Sequence, residues 1–212
     1  MRSVSPSKRS SQSTPHVLPP RAAVAVGPRV LLRPLHAADG PELTRGNRAS
    51  ARLHRGLVRP PRSGPEFARY LARARQPNAV CLLVCRRGDG AIAGAINISE
   101  IVRGVFQSAY LGYYAVARFA GQGLMTEALQ LALGHAFGRL GLHRVEANIQ
   151  PGNTPSIRLV RRAGFRREGY SPRYLKIAGR WRDHERWALL REAWRPVRLG
   201  GRGARWRGGR VR

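Results

Sequence analysis

One short segment of the chain combines an arginine, two glycines and a predicted helix start, a combination that binds phosphate. In residues 115–125 (AVARFAGQGLM) a predicted strand ends, Arg118, Gly121 and Gly123 follow, and a helical pattern begins. Glycine lets the backbone approach a ligand closely because no Cβ stands in the way. The free N–H groups and the dipole of the following helix favour an anion. The segment therefore predicts a phosphate or pyrophosphate site, although its spacing matches neither a Walker loop nor a complete GxGxxG.

The elements around this segment indicate a mixed α/β domain. Apolar periodicity predicts a strand directly before the loop and a helix directly after it. The Asp89-Gly90 pair indicates a hairpin turn between two further strands. The predicted order is β-α-α-β-β-β-α-β-α-β-β, with strands at 29–33, 79–85, 91–99, 108–116, 143–149, near 166–175 and near 183–190, and helices at 37–50, 65–75, 124–137 and 154–163. We therefore expect an α/β sheet of six to seven strands flanked by about four helices.

Length and cysteine content exclude several classes of protein. The 212 residues fit one domain. The longest apolar run, residues 79–85, is far shorter than the roughly 20 residues of a membrane-spanning helix. No sustained apolar stretch follows the first basic residues, so we expect no secretory signal and a cytoplasmic protein. Cys81 and Cys85 lie four residues apart on a predicted strand, too far to form a disulfide, and are expected to be small buried side chains. No metal site is expected, because no ligand cluster has suitable spacing.

The net charge of +28 is unevenly distributed along the chain. All eleven acidic residues lie between Asp39 and Glu192, whereas residues 1–22 and 195–212 carry only basic charges. We expect a disordered basic leader at 1–22, one folded domain at 23–194 and a disordered arginine- and glycine-rich tail at 195–212. The tail suits loose contact with the phosphates and bases of RNA or a ribosome. A solvated terminal extension is the alternative.

Three motifs together resemble the GNAT superfamily of N-acetyltransferases. They are RxxGxG at residues 118–123, PxNxxS at 151–156 and AGF at 163–165. Further runs are similar to the RimJ-type branch, whose members acetylate the N-terminal amine of ribosomal proteins. These runs are RG at 103–104, YLGY at 110–113, GQGLMTEAL at 121–129, LHRVEAN at 142–148 and GRWRDH at 179–184. The resemblance covers roughly residues 27–194, and it implies a mostly antiparallel GNAT-like sheet.

The resemblance also implies an acetyl-CoA site and assigns residues to it. Backbone N–H groups of residues 119–124 would hold the pyrophosphate, and the backbone of 114–117 would pair with the pantetheine arm. Asn153 would bond that arm from the other side, and Ser156 would place a hydroxyl near the thiol. The implied cofactor-binding set is Tyr114, Ala115, Val116, Ala117, Arg118, Phe119, Ala120, Gly121, Gln122, Gly123, Leu124, Asn153 and Ser156.

The catalytic acid and base are less well defined in this sequence. Residues 107–116 contain no acid, although many superfamily members carry a glutamate on this strand. Val160 stands where some relatives have a tyrosine acid. We expect Glu100, at the end of a hairpin strand, to be the general base and Ser156 to be the second catalytic residue, the alternative for Glu100 being a solvated carboxylate. The remaining conspicuous side chains are interpreted as packing, surface or framework positions (His135, His143, His184) or as a partner of the helix dipole (Glu127).

Three functions remain open at this point. The first is N-terminal acetylation of a protein, plausibly a ribosomal protein, by direct attack of the amine in a ternary complex. An α-amine has a pKa of about 7.7–8.0, so it needs less help from a base than a lysine amine with a pKa of about 10.4. The second is acetylation of a small amine such as an aminoglycoside, a polyamine or an amino acid. The third is a ribosome- or RNA-binding role with vestigial acetylation.

Overall fold

One mixed sheet forms the centre of the molecule. The structure is a computed structural model that describes residues 23–196. Eight strands follow the order β1-β2-β3-β4-β5-β6-β8-β7, and all neighbours are antiparallel except β5 and β6. The strands are β1 (Ala25–Val26), β2 (Val30–Pro34), β3 (Val80–Arg86), β4 (Ile92–Val102), β5 (Ser108–Ala115), β6 (Arg144–Ile149), β7 (Arg166–Ile177) and β8 (Arg180–Leu190). The helices are α1 (Gly40–Ala49), α2 (Ala51–His54), α3 (Gly64–Arg73), α4 (Leu124–Gly134) and α5 (Thr154–Arg162).

The α/β class and the element order agree with the prediction, and the number of elements is larger by one strand and one helix. The additional strand, β1, has two residues, so its sequence carries no readable period. The additional helix, α2, lies beyond the predicted helix at 37–50 and is separated from α1 by Ser50, where φ is −93° and ψ is 12°. The Ser50 Oγ donates to the Gly46 carbonyl (2.7 Å), a bond that bends helices.

Apolar cores lie on both faces of the sheet. On one face α4 buries Leu129 and Leu133, and Phe137 follows in the next turn. On the other face Leu43 of α1 and Phe67 of α3 pack against β3 and β4. Burial of each such side chain stabilises the fold by about 1.5–3 kcal/mol. Cys81 and Cys85 lie buried in this second core and are not bonded to each other, as expected.

A gap opens between β5 and β6. Their parallel pairing covers three residue pairs, from Ser108 with Arg144 to Tyr110 with Glu146. Beyond Tyr110, β5 stays paired with β4 and β6 stays paired with β8, so the two strands separate. The helices α4 and α5 begin beyond the carboxyl ends of these two strands, and the gap therefore lies between two helix starts.

The predicted leader at 1–22 and the tail from residue 197 onward lie outside the described residues. Within residues 23–196, no helix is long and apolar enough to cross a membrane.

Candidate active site

The gap between β5 and β6 opens into a cavity of about 540 Å³. Small-ligand sites have volumes of about 300–1,000 Å³, so this cavity is of suitable size. Its walls come from α2, β5, α4, β6, α5 and β8, and from the phosphate loop, which is defined here as residues 118–124. The cavity therefore joins the two segments that the sequence singled out.

The phosphate loop presents free N–H groups at the start of α4. Gly121 and Gly123 have φ angles of +76° and +75°, which glycine adopts at the lowest cost. Nothing lies within 4 Å of the position that a Cβ would take at Gly121. The N–H groups of Phe119 and Ala120 are bonded to carbonyls of the preceding turn (2.9 and 3.1 Å). Among the described residues, the N–H groups of 121–124 donate to no other group, so they are free to bind an anion.

The long side chains of the phosphate loop turn away from the cavity. The Arg118 guanidinium stacks over the Phe119 ring, with Cζ 4.3 Å from the ring centroid. Gln122 Nε2 donates to the carbonyl of Arg118 (2.9 Å). Neither Arg118 nor Gln122 lines the cavity, so Arg118 contributes its charge to the loop without a direct contact to the cavity.

An ion pair outside the predicted motif anchors the phosphate loop. Glu127 on α4 is 4% exposed and accepts from the backbone N–H groups of Arg29 (2.8 Å) and Val30 (3.0 Å) and from Arg29 Nε (3.1 Å). Arg29 Nη1 donates in turn to the Gln122 carbonyl (3.0 Å). Glu127 therefore links β2 to α4. This role is additional to the predicted interaction of Glu127 with the helix dipole. The role of Arg29 is not visible in the sequence, because 98 residues separate it from Glu127 and no local pattern marks it.

The backbone of β5 faces the gap at alternate residues. The Val116 N–H donates to β4 (2.8 Å), and alternate residues of an antiparallel strand bond to the same neighbour. The N–H and C=O groups of Tyr113 and Ala115 therefore point toward β6, which does not pair with them. His54 Nε2 donates to the Ala115 carbonyl (2.8 Å), leaving the Ala115 N–H free. Within the predicted stretch 114–117, the backbone of Ala115 thus faces the gap. The backbone of Tyr113, which precedes this stretch, faces the gap as well.

The other residues of that stretch bond elsewhere. Tyr114 pairs with β4 by the same alternation, and its ring lies edge-on to His54, with the centroids 5.6 Å apart. The Ala117 N–H donates to Ser50 Oγ (2.8 Å). Leu124 is buried at the first position of α4. Tyr114 and Leu124 line the cavity, whereas Ala117 does not.

Asn153 and Ser156 lie together at the start of α5. Asn153 Oδ1 accepts from the Ser156 N–H (3.3 Å) and caps the helix, which leaves the side-chain NH₂ group available. Ser156 Oγ and the Tyr113 hydroxyl are 2.6 Å apart. Burial raises the pKa of Tyr113 to about 12, so this phenol is protonated at neutral pH. The structure therefore joins the predicted Ser156 to a tyrosine across the gap.

Glu100 lies apart from the cavity. It is in β4 at a register shift between Ser99 and Val102, with a φ of +51°. Its carboxylate is 58% exposed and is 3.5 Å from the guanidinium of Arg73 on α3. Glu100 is not among the lining residues, and the structure does not bring it together with Ser156.

The sheet face opposite α4 contributes a histidine and an asparagine to the cavity. His184 on β8 is 3% exposed, and its Nδ1 is 2.9 Å from the carbonyl of Arg182. Burial lowers the pKa of His184 below the usual imidazole range. Asn148 on β6 has a buried Oδ1 without a hydrogen-bond partner in the described part of the chain. The sequence gives Asn148 no role and favours a framework role for His184, because only the pairing of β6 with β8 brings the two residues together.

This arrangement fits acetyl-CoA. Free N–H groups at a helix start suit a pyrophosphate. The exposed amides of Tyr113 and Ala115 suit an extended arm that carries amides of its own. The orphaned Asn148 Oδ1 is a polar atom that a ligand would satisfy, since buried polar groups are almost always bonded.

Comparison with known proteins identifies the domain. Residues 29–166 match the family model described as acetyltransferase (GNAT) domain. The chain belongs to the GNAT acetyltransferase family. The GNAT resemblance of the sequence and the GNAT-like fold that it implied are thereby confirmed.

Several relatives of this GNAT chain have been named or solved. It is 44% identical over 107 residues to the Escherichia coli [ribosomal protein uS5]-alanine N-acetyltransferase, covering 50% of this chain and 55% of that protein. It superimposes on Mycobacterium smegmatis RimJ, solved in complex with CoA-disulfide, with a TM-score of 0.71 and 30% identity over 77% of this chain and 82% of that one. A GCN5-related N-acetyltransferase from Brucella melitensis gives a TM-score of 0.70 and 27% identity, covering 80% and 79%. The chain spans about half the length of the curated relatives that it matches.

Proposed function

We propose that this GNAT protein transfers the acetyl group of acetyl-CoA to the N-terminal α-amine of a protein, with a ribosomal protein as the acceptor. The observation that carries the proposal is the cavity at the gap, which offers N–H groups to an anion and has no Asp or Glu among the described residues that line it. The acceptor class is supported by the E. coli relative, which is named for acetylating an alanine of a ribosomal protein.

The phosphate loop and the gap would hold acetyl-CoA, which supplies an activated thioester. The N–H groups of residues 121–124 would bind the pyrophosphate, because they are unpaired at the positive end of α4. The Tyr113 and Ala115 amides would pair with the pantetheine arm, and the Asn153 NH₂ group would donate to it from α5. The other predicted residues would contribute to the site through packing or through electrostatic charge. They are Tyr114, Val116, Ala117, Arg118, Phe119, Ala120, Gln122 and Leu124.

Ser156 would act on the leaving sulfur. In a ternary complex the amine nitrogen attacks the thioester carbonyl, the C–S bond breaks, and its electron pair passes to sulfur. The Ser156 hydroxyl donates a proton to that sulfur and recovers one from the Tyr113 hydroxyl, which lies 2.6 Å away and stays protonated at neutral pH. Solvent then restores the Tyr113 proton.

The charges of the cavity favour a singly charged amine over a polyamine. Polyamines and aminoglycosides carry several positive charges, which a site would neutralise with carboxylates. Arg158 and Arg162 of α5 are the charged side chains among the described lining residues. A protein N-terminus brings one α-amine with a pKa of about 7.7–8.0, so a useful fraction is already neutral at pH 7.

The test is an acetylation assay with defined acceptors. Synthetic peptides that begin with Ala, Ser or Thr and copy ribosomal protein N-termini are incubated with the protein and acetyl-CoA, and mass spectrometry locates the added acetyl group. We expect modification of the α-amine, and none of the same peptides blocked at that amine or of spermidine. Faster acetylation of spermidine or of a lysine side chain would overturn the proposal.

The loop assignment has its own control. Gly121→Glu places a negative charge and a side chain where the pyrophosphate would bind, so calorimetry should show CoA affinity falling at least 100-fold. Gly141→Glu is the matched variant, because Gly141 also has a positive φ (+64°) and open space around its Cβ position but lies outside the cavity. Equal affinity of the two variants would contradict the assignment.

Contact between the arginine-rich tail and a ribosome or RNA stays a prediction, since most of the tail lies outside the described residues. We expect deletion of residues 195–212 to weaken ribosome co-sedimentation and to reduce its salt dependence. The cytoplasmic location is likewise a proposal.

A further inference from the structure

The acceptor amine must lose a proton during transfer, and no carboxylate of this chain is placed to take it. All eleven acidic side chains lie within the described residues; ten of them accept hydrogen bonds from other groups of the protein, and Glu100 forms an ion pair. None lines the cavity, and Glu100 pairs with Arg73 outside it. A base supplied by this chain must therefore be of another residue type.

Two histidines line the cavity, and their hydrogen bonds fix which ring nitrogen carries a lone pair. A carbonyl oxygen only accepts, so the His54 nitrogen that bonds the Ala115 carbonyl, Nε2, carries its proton. The lone pair of His54 is then on Nδ1, which is enclosed by protein and has no partner. In His184 the bond to the Arg182 carbonyl puts the proton on Nδ1. The lone pair of His184 is therefore on Nε2, which bonds to no group among residues 23–196 and belongs to a side chain lining the cavity.

We propose that His184 Nε2 is the general base that takes the proton from the acceptor amine. The inference deepens the proposed function and rests on it for the presence of an amine in the cavity. His184 and Asn148 stand on the same face of the sheet, because Asn148 pairs with Arg186 and residues two apart on a strand share a face. Such diagonal neighbours lie about 7 Å apart, so Asn148 adds a polar side chain to the cavity wall beside the base.

The proton transfer balances without a further reactant. One N–H bond of the ammonium group breaks and an Nε2–H bond forms, leaving the electron pair on the amine nitrogen for attack on the thioester carbonyl. The imidazolium then releases this proton to solvent. After attack the nitrogen loses its second proton to solvent as the tetrahedral adduct collapses to the amide. This sequence complements that of Ser156, which protonates the departing sulfur.

The groups that face His184 are compatible with this role. Burial lowers its pKa, whereas the Arg182 carbonyl and the adjacent Asp183 carboxylate act in the opposite direction. The Tyr174 ring of β7 is 6.2 Å away, and the Arg186 guanidinium of β8 lies over Gly169. Arg158 and Arg162 are the other charged groups in the cavity wall. With burial dominant, the imidazole is neutral at pH 7 and its Nε2 is able to accept a proton.

The test compares His184→Asn with the wild type. Asn retains a donor near the position of Nδ1 for the Arg182 carbonyl and removes the lone pair at Nε2. We expect kcat/KM to fall about 100-fold at pH 6.5. The loss should shrink about tenfold per pH unit up to the pKa of the amine, because above that pKa the amine needs no base. The pH dependence of kcat/KM is measured with whichever amine the enzyme acetylates fastest. The test therefore remains valid even if the acceptor is not a protein N-terminus.

Three comparisons separate a catalytic role from a structural one. CoA affinity and thermal midpoint should be unchanged in His184→Asn, and added imidazole should restore activity to His184→Ala. His143→Asn, at an exposed histidine paired with Glu192, should match the wild type at every pH. A pH-independent loss in His184→Asn, or the expected pH-dependent loss in Glu100→Gln instead, would overturn the inference.

The ring itself provides a readout without turnover. Nitrogen-15 NMR of the histidine side chains in the CoA-bound protein at pH 7.5 should show His184 as the Nδ1–H tautomer. The His184 signals are assigned by their loss in His184→Asn. An Nε2–H tautomer, or an imidazolium at this pH, would overturn the proposal whatever the acceptor is.

Discussion

Arg29 lies outside every sequence motif that indicated phosphate binding, yet its guanidinium holds the carbonyl of Gln122 in the phosphate loop. Replacement by alanine would release this carbonyl and would also leave the Glu127 carboxylate without its guanidinium partner. That uncompensated negative charge would be in the first turn of α4, close to where the pyrophosphate is proposed to bind. Arg29→Ala should therefore weaken CoA binding through loop disorder and through repulsion.

The structure limits the size of this effect. The Arg29 side chain is 54% exposed, so its ion pair with Glu127 is worth only about 0.2–1 kcal/mol. The hydrogen bond to the Gln122 carbonyl adds about 1 kcal/mol. A total of about 1–2 kcal/mol corresponds to a roughly tenfold rise in the Kd for CoA. Arg29→Lys should give a smaller rise, because an ammonium keeps the charge but cannot reproduce the guanidinium's fork of donors.

Calorimetric titration with CoA at low ionic strength measures the effect, and Arg87→Ala is the matched control. Arg87 Nη1 donates to the Gly27 carbonyl (3.1 Å) in the same region of the sheet edge, but it makes no hydrogen bond to the phosphate loop. We expect Arg87→Ala to bind CoA like the wild type. A Kd for Arg29→Ala within twofold of the wild type, or an equal rise in both variants, would refute the role assigned to Arg29.

Three further outcomes follow from the structure. Ser156→Ala should lower kcat about 100-fold while CoA affinity stays within threefold in calorimetry, and a loss of binding instead would make Ser156 a structural residue. Phe137→Ala, at a ring that is 1% exposed and 5.6 Å from the Trp194 ring, should lower the urea-measured free energy of unfolding by about 3–5 kcal/mol. Burial lowers the pKa values of His54 and His135, so the unfolded chain binds protons first as the pH falls below about 6.5. The free energy of unfolding should accordingly decrease from pH 7.5 to 5.5, and constant stability over this range would contradict that account.

The parts of the site that lie close together in sequence could be predicted from it. The phosphate loop joins β5 directly to α4, and the positive φ angles of Gly121 and Gly123 are of a kind that only glycine adopts easily. The cap of α5 is equally local, since Asn153 accepts from the N–H three residues ahead. Local geometry of this kind depends on a few consecutive residues, and their types are visible in the sequence.

The partners of these segments could not be predicted, because they depend on strand pairing. Arg29 meets Gln122 across 93 residues of sequence, and His54 meets Ala115 across 61. His184 shares the cavity with Asn148 only because β8 pairs antiparallel with β6 in one register. A shift of one residue in that register would turn His184 to the opposite face of the sheet. The position of His184 in the cavity is therefore visible in the structure but cannot be inferred from the sequence.

Glu100 shows why a base assigned from strand position is sensitive to a single irregularity. The prediction assigned Glu100 as the general base from its place at the end of a hairpin strand. In the structure the register of β4 and β5 shifts between Ser99 and Val102, and Glu100 adopts a φ of +51° inside that shift. A bulge adds a residue to one strand and re-aims the side chain there, and hydrophobic alternation does not reveal it. The Glu100 carboxylate meets Arg73 on α3 instead, and the base that we propose for the cavity lies on β8.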